Sequence, residues 1–243
     1  MRKRILGGKL VLTLVLLTGC AAPNPRVDRV DALGARNTAL PPAPPLGELA
    51  KLVGPPRGLY AAADPAARAP RDLEIADPAV LASLDAAIAL DPNNVQARID
   101  RAYIWTLTGR RVEGLAEFTR AQSIAPHGRA LQRRAYWSEG WAMYQLAEYK
   151  SAVRAWRRAE QLHGGSPSWA APTYAVALWS AGDRDAALRW YDTAAKSAPS
   201  EWLTREGLDA SIRFWREAES RAMRELFGAF EQRAKEPVSQ RSG

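Results

Sequence analysis

The chain of 243 residues contains a single cysteine, Cys20, which is the only residue that could supply a thiol. A short apolar run from Leu10 to Leu17 is followed by Thr18, Gly19 and then Cys20. The run is too short to span a bilayer core, which needs about 20 helical residues. Four basic residues precede it: Arg2, Lys3, Arg4 and Lys9. This order predicts a secretory signal peptide over residues 1–19.

The four residues Leu17, Thr18, Gly19 and Cys20 resemble the lipobox of bacterial lipoproteins. The resemblance implies cleavage before Cys20 and attachment of three acyl chains, such as palmitate, to the new N-terminus. Two or more chains hold a protein stably on a membrane. Ala21, where Asp would signal inner-membrane retention, favours the outer membrane of a Gram-negative bacterium, facing the periplasm. The alternative is an ordinary cysteine beside an uncleaved or conventionally cleaved leader.

Other side chains that could do chemistry form no recognisable active site. With the thiol committed to lipid, the mature chain has no disulfide, no thiolate metal site and no thiol nucleophile. His127 and His163 fall in turns without metal-ligand spacing. The carboxylate pairs lie at expected helix starts or exposed faces. There is no nucleophile elbow, phosphate loop or dinucleotide fingerprint. We therefore expect a non-enzymatic protein with no cofactor and no metal.

The net charge of +8 overstates how basic the mature protein is. The leader carries four of the 34 Lys and Arg residues and none of the 26 Asp and Glu residues. The mature chain is therefore +4, an ordinary value for its length. An exported protein of this charge is not expected to bind nucleic acid.

Residues 20–71 have the composition of a linker. Ten prolines between positions 23 and 70 disfavour helix and sheet, and the stretch from Pro41 to Pro45 favours polyproline II. This predicts a disordered, Pro-rich tether. Leu46, Leu49, Leu52 and Val53 could form one or two helical turns that dock on the domain.

An internal repeat begins near Asp77. Alanines recur at spacings of 34, 38 and 35 residues, at Ala87, Ala121, Ala159 and Ala194. An aromatic residue stands three positions before each of the last three alanines, at Phe118, Trp156 and Tyr191. Twelve positions before the same alanines stand Gly109, Ala147 and Gly182. The period predicts a unit of helix, tight turn, helix and turn.

The spacing and residue types resemble the tetratricopeptide repeat, with small residues in mid first helix at Ala102, Gly140 and Ala175. The resemblance implies an all-α array of helical hairpins, an α-solenoid, within a domain at 72–236. We expect a half repeat at 78–94, repeats at 95–128, 133–166 and 168–201, a capping helix at 202–236 and a disordered tail at 237–243.

In that architecture the first helices line a concave groove. Seven residues would form a partner-binding surface there: Tyr103, Arg134, Trp137, Trp141, Tyr144, Trp169 and Trp179. Aromatic residues and arginine are enriched in binding hot spots. The alternative is that the tryptophans pack against the capping helix or the tether.

Together these features predict a lipid-anchored scaffold or adaptor that binds another envelope protein. The complex could serve secretion, a pilus, outer-membrane assembly or peptidoglycan remodelling. The alternative function is binding of peptidoglycan or another glycan, with tryptophans stacked on sugar rings.

Overall fold

The computed structural model describes residues 47–68, 77–125 and 129–235, which lie in one compact unit. The predicted signal peptide, Cys20, the tail at 237–243 and the rest of the linker lie outside the described residues. The described part is helical, which confirms the all-α prediction. Its helices are α1 (Glu48–Val53), α2 (Pro78–Leu90), α3 (Val95–Leu107), α4 (Arg111–Ile124), α5 (Arg129–Gln145), α6 (Tyr149–His163), α7 (Ala170–Ser180), α8 (Arg184–Ser197), α9 (Pro199–Trp202), α10 (Arg205–Ile212) and α11 (Glu217–Lys235).

Sequential helices pack as hairpins. The pairs α3 and α4, α5 and α6, and α7 and α8 each pack side by side, and neighbouring hairpins contact each other. Helix α2 packs on α3 at one end of the array, and α11 packs on α7 and α8 at the other. Within the described ranges there is no strand, and the one β-type pairing is an isolated bridge between Ala62 and Pro167. No described helix is long and apolar enough to cross a membrane.

A residue with positive φ lies in the turn of each hairpin. Gly109, Ala147 and Gly182 have φ values of 92°, 57° and 89°. Left-handed backbone suits glycine because it has no Cβ, and it is less favourable for Ala147. The spacing that identified these residues as turn positions is thus explained by their backbone conformation.

Small residues allow the helices of a hairpin to cross closely. A Cβ added to Gly140 of α5 would lie 2.2 Å from Nε1 of Trp156 in α6. In the preceding hairpin, a Cβ on Gly114 would lie 2.2 Å from Oγ1 of Thr106. Because these two glycines have no side chain, the ring of Trp156 and the side chain of Thr106 can pack directly against the glycine backbone.

The expected single capping helix at 202–236 is wrong in detail. The chain there forms α9, α10 and α11, with breaks at residues 203–204 and 213–216. Thr204 caps α10 by accepting a hydrogen bond from the Gly207 N–H, and Glu219 accepts one from the Arg216 N–H at the start of α11. These local caps satisfy backbone donors that a continuous helix would have bonded internally.

The expectation of a disordered tether over all of 20–71 also needs correction. Residues 47–68 pack on the hairpin array, and Leu49 and Val53 of α1 are fully buried. Burial of these apolar side chains favours the ordered state despite the nearby prolines. The docking of a short helix at this point agrees with the apolar pattern of the sequence.

Candidate functional site

Helix α1 is fixed to the array at the turn between α7 and α8. The two carboxylate oxygens of Asp183 accept hydrogen bonds from the N–H groups of Gly47, at 2.6 Å, and Ala50, at 3.1 Å. Both donors belong to the first turn of α1, which has no capping side chain of its own. Asp183 therefore caps a helix from a distant part of the sequence.

Residues 55–68, which we call the strap, follow α1 across the hairpins without forming a helix, and they turn at Pro65 and Ala66. The Tyr60 N–H donates to Oγ of Ser197 at 2.8 Å. Ala62 pairs through its backbone with Ser166 and Ser168. The strap thus joins the end of α8 to the loop before α7.

Asp64 of the strap is the most strongly held residue of this segment. Its carboxylate accepts hydrogen bonds from Nη2 of Arg133 at 2.9 Å and from Nε1 of Trp169 at 3.2 Å. Burial alone would raise the pKa of Asp64, but these hydrogen bonds outweigh it and lower the pKa below its ordinary value. The strap therefore contributes a buried ion pair with a hairpin residue.

Two of the predicted groove tryptophans are partly covered by the strap. Trp137 donates from Nε1 to the Arg68 carbonyl at 3.0 Å, and its ring centre lies 4.6 Å from that of Trp169. Both side chains are buried. The linker therefore covers part of the surface of Trp137 and of Trp169.

Trp141 occupies the centre of an aromatic cluster. Its ring centre lies 5.0 Å from that of Trp156 in the core and 5.1 Å from that of Trp215 in the break before α11. The rings meet at steep angles, which is a favourable geometry for aromatic pairs. Trp141 is 3% exposed, so most of its side chain packs in the core and only a small part reaches the surface.

The other predicted site residues are distributed differently. Tyr103 is buried in α3, and Tyr144 shares a 2.7 Å hydrogen bond with Ser180. Trp179 lies under the guanidinium of Arg184, at 3.7 Å from the ring centre. Neither Tyr144, Trp179 nor the half-buried Arg134 lines the cavity described next.

An open cavity of about 490 Å³ brings four of the seven predicted residues together: Tyr103, Trp137, Trp141 and Trp169. The C-terminal helices add three more aromatic side chains: Trp202, Phe214 and Trp215. Ala67 of the strap forms part of the wall. Phe214 is 61% exposed, so the cavity can be reached from solvent at this residue.

Charged residues of both signs line the same cavity: Glu201, Arg213, Arg216 and Glu219. Glu219 is buried, and its carboxylate accepts hydrogen bonds from the Gln145 side chain and, at 3.0 Å, from the Arg216 N–H. Burial raises the pKa of Glu219 to about 7. The cavity thus offers broad aromatic faces together with a few polar groups, a composition suited to recognition.

Sequence reasoning missed the C-terminal half of this site. Residues 213–216 were expected to lie within one capping helix, so the break that brings Phe214 to the cavity was not predicted. Packing of the groove tryptophans against this part of the chain was the stated alternative, and Trp141 does pack against Trp215. One signal was present: Glu219 lies three residues after Arg216, the spacing of a helix-start hydrogen bond. The contribution of the strap could not be read from composition, because many of its contacts are made by backbone groups and by Asp64, although Tyr60 is also buried against Trp190.

No cluster of His, Cys, Asp and Glu suitable for a metal ion occurs among the residues that the structure describes. The chain matches no protein-family model. Searches of curated proteins and of solved structures likewise find no match.

Proposed function

We propose that this protein is a lipid-anchored, non-enzymatic adaptor of the bacterial envelope that binds a segment of a partner protein in the aromatic cavity. Its helical array is of the tetratricopeptide type, and Cys20 carries the acyl chains. Ala21 directs it to the outer membrane, where the domain faces the periplasm. Partners of this kind serve secretion, a pilus, outer-membrane assembly or peptidoglycan remodelling.

The observation that carries the proposal is the cavity itself. After the strap has covered part of Trp137 and Trp169, about 490 Å³ remains open beside seven aromatic side chains. That volume lies within the roughly 300 to 1,000 Å³ of small-ligand pockets. A few large side chains of a partner segment fit it, and aromatic walls give large contact area at low entropic cost.

Phe214→Ala tests the proposal with little risk to the fold. The side chain is largely exposed, so we expect the free energy of unfolding to change by about 0.5 kcal/mol or less. Loss of an aromatic anchor should weaken partner binding about tenfold or more. The measurement is co-purification of the partner from detergent-solubilised envelopes, with thermal unfolding followed in parallel.

Leu90→Ala is the matched control, since Leu90 is 90% exposed and lies on α2, outside the cavity. It should leave co-purification unchanged. Equal recovery of every envelope protein with the Phe214→Ala variant would overturn the proposed site.

Glycan binding is the second candidate. The tryptophan rings and carboxylates that line the cavity are the groups that stack on sugars and accept their hydroxyl hydrogen bonds. Retention of the purified protein by purified peptidoglycan, abolished by Phe214→Ala, would favour this function over an adaptor role.

A further inference from the structure

A second surface, away from the aromatic cavity, surrounds the point where the described chain begins. Helix α1 lies along α6, with an ion pair of 2.5 Å between Glu48 and Lys150 near its start. Near its end, Arg157 donates to the Val53 carbonyl. Arg154 lies between Lys150 and Arg157 on the same face of α6, because residues four and three apart share a helix face.

Five exposed basic residues occur on this side: Lys51, Arg57, Arg154, Arg158 and Arg189. We call them the basic face. Lys51 and Arg189 line one shallow hollow of about 380 Å³ with Pro55, Pro56 and Trp190, and Arg57 follows Pro56 directly. None of the five makes an ion pair with another described residue.

The nearby acidic residues are already engaged. Glu48 pairs with Lys150, and Glu160 pairs with Arg157. Asp183 accepts the backbone donors of α1. On α8, Asp185 pairs with Arg233 and Asp192 pairs with Lys196. The five basic residues outnumber Asp183, the one of these carboxylates without an ion pair among the described residues, so the basic face keeps a net positive charge although the predicted mature chain is only +4.

We propose that the basic face docks on anionic phospholipid headgroups of the membrane in which the acyl chains are inserted. This rests on the proposed lipid anchor. The 26 residues between Cys20 and Gly47 span at most about 90 Å, and they join the domain on this face. A short acyl anchor and a basic patch act together, since the anchor keeps the patch near the surface.

Docking also orients the domain. With α1 and the second helices α6 and α8 towards the lipid, the basic face holds the hairpins in one orientation on the surface. Each Lys or Arg near an anionic surface strengthens binding about fivefold at ordinary salt.

The test uses the predicted mature chain, residues 20–243, with Cys20→Ala, so that neither an acyl chain nor the basic leader contributes. Its flotation is measured with vesicles of phosphatidylcholine alone and with vesicles containing roughly one phosphatidylglycerol in three lipids. We expect binding to the anionic vesicles to exceed binding to the neutral ones. Adding Lys51→Gln, Arg154→Gln and Arg189→Gln should reduce the anionic binding at least tenfold.

The matched control removes the same charge elsewhere, through Arg120→Gln, Arg129→Gln and Arg221→Gln, three exposed residues outside the basic face. It should retain most of the binding. Equal loss in both triple variants, or no preference for anionic vesicles, would overturn the docking proposal. Failure of acyl labelling at Cys20 would instead overturn the anchor, so the two outcomes are distinguishable.

Discussion

At the residue scale, the unusual feature of the site is a buried carboxylate, Glu219, whose hydrogen-bond donors are an amide side chain and a backbone N–H, although the charge of Arg216 acts on it. Glu219 accepts hydrogen bonds from Gln145 and from the Arg216 N–H, which joins the start of α11 to the end of α5. A carboxylate in such surroundings holds its proton more tightly than in water. Glu219 should therefore make a contribution to the stability of the domain that depends on pH near neutrality.

We expect Glu219→Gln to remove a pH dependence of stability. Burial raises the pKa of Glu219 from its ordinary value of 4.5 to about 7 in the folded protein. Protonation of Glu219 therefore favours the folded state, and this contribution is complete below pH 4.5 and is lost as pH rises through about 7. A rise in pH from below 4.5 to above 7 should therefore lower the free energy of unfolding by on the order of 3 kcal/mol through Glu219.

The measurement is denaturant unfolding of both proteins at pH 5 and at pH 8. On going from pH 5 to pH 8, the variant should gain stability relative to the natural protein. Glu217→Gln, an exposed change in the same helical turn, controls for loss of an acidic group at the helix start. A stability difference between natural protein and Glu219→Gln that is the same at both pH values would contradict this explanation.

At the element scale, the hairpins depend on crossings where one helix lacks a side chain. The glycine of α5 and the tryptophan of α6 form one of these crossings, and the same tryptophan contacts the rings that line the cavity. Trp156 donates a hydrogen bond to the Trp137 carbonyl at 3.2 Å, so its indole cannot move freely.

Gly140→Ala should therefore destabilise the domain. The new Cβ would lie 2.2 Å from Trp156 Nε1, and overpacking of this kind costs about 1 to 3 kcal/mol. Gly228→Ala in α11 is the matched control, because no heavy atom lies within 4 Å of the added Cβ. It should stabilise the helix by up to about 1 kcal/mol. Thermal unfolding checks both, and a neutral Gly140→Ala would contradict the crossing geometry.

Many of the helix bounds and turn positions could be predicted from the sequence. The start and end of α2 at Pro78 and Leu90, and the turn positions at Gly109, Ala147 and Gly182, follow from local period and turn chemistry. The break at 213–216 was harder to predict, because its apolar residues satisfy a helical period in either arrangement and only the spacing of Arg216 and Glu219 indicates a new helix start. The path of the strap could not be predicted either, since Asp64 bonds to Arg133 and Trp169, which lie 69 and 105 residues away in the sequence.

At the scale of the whole molecule, the two proposed surfaces have different tasks. The aromatic cavity uses first helices and the C-terminal helices, whereas the basic face uses α1, α6, α8 and the start of the strap. The linker takes part in both, because it passes from the basic face to the cavity wall at Ala67. The site predicted from the first helices alone was therefore incomplete.

We expect Cys20→Ala to abolish anchoring. Without the thiol no acyl chain is attached, so the protein should accumulate as unprocessed precursor and fail to incorporate radiolabelled palmitate. Thr13→Ala, a change within the same leader, should be processed and labelled normally. Processing and labelling of the Cys20→Ala protein at the normal level would exclude the lipoprotein assignment.

The most direct measurement of the central claim is photocrosslinking in intact cells from a reactive amino acid placed at position 214, at the cavity. We expect a covalent adduct with one envelope protein, identified by mass spectrometry and absent when the reactive group is placed at the exposed position 90. No adduct from position 214, or the same adducts from both positions, would contradict a partner-binding cavity.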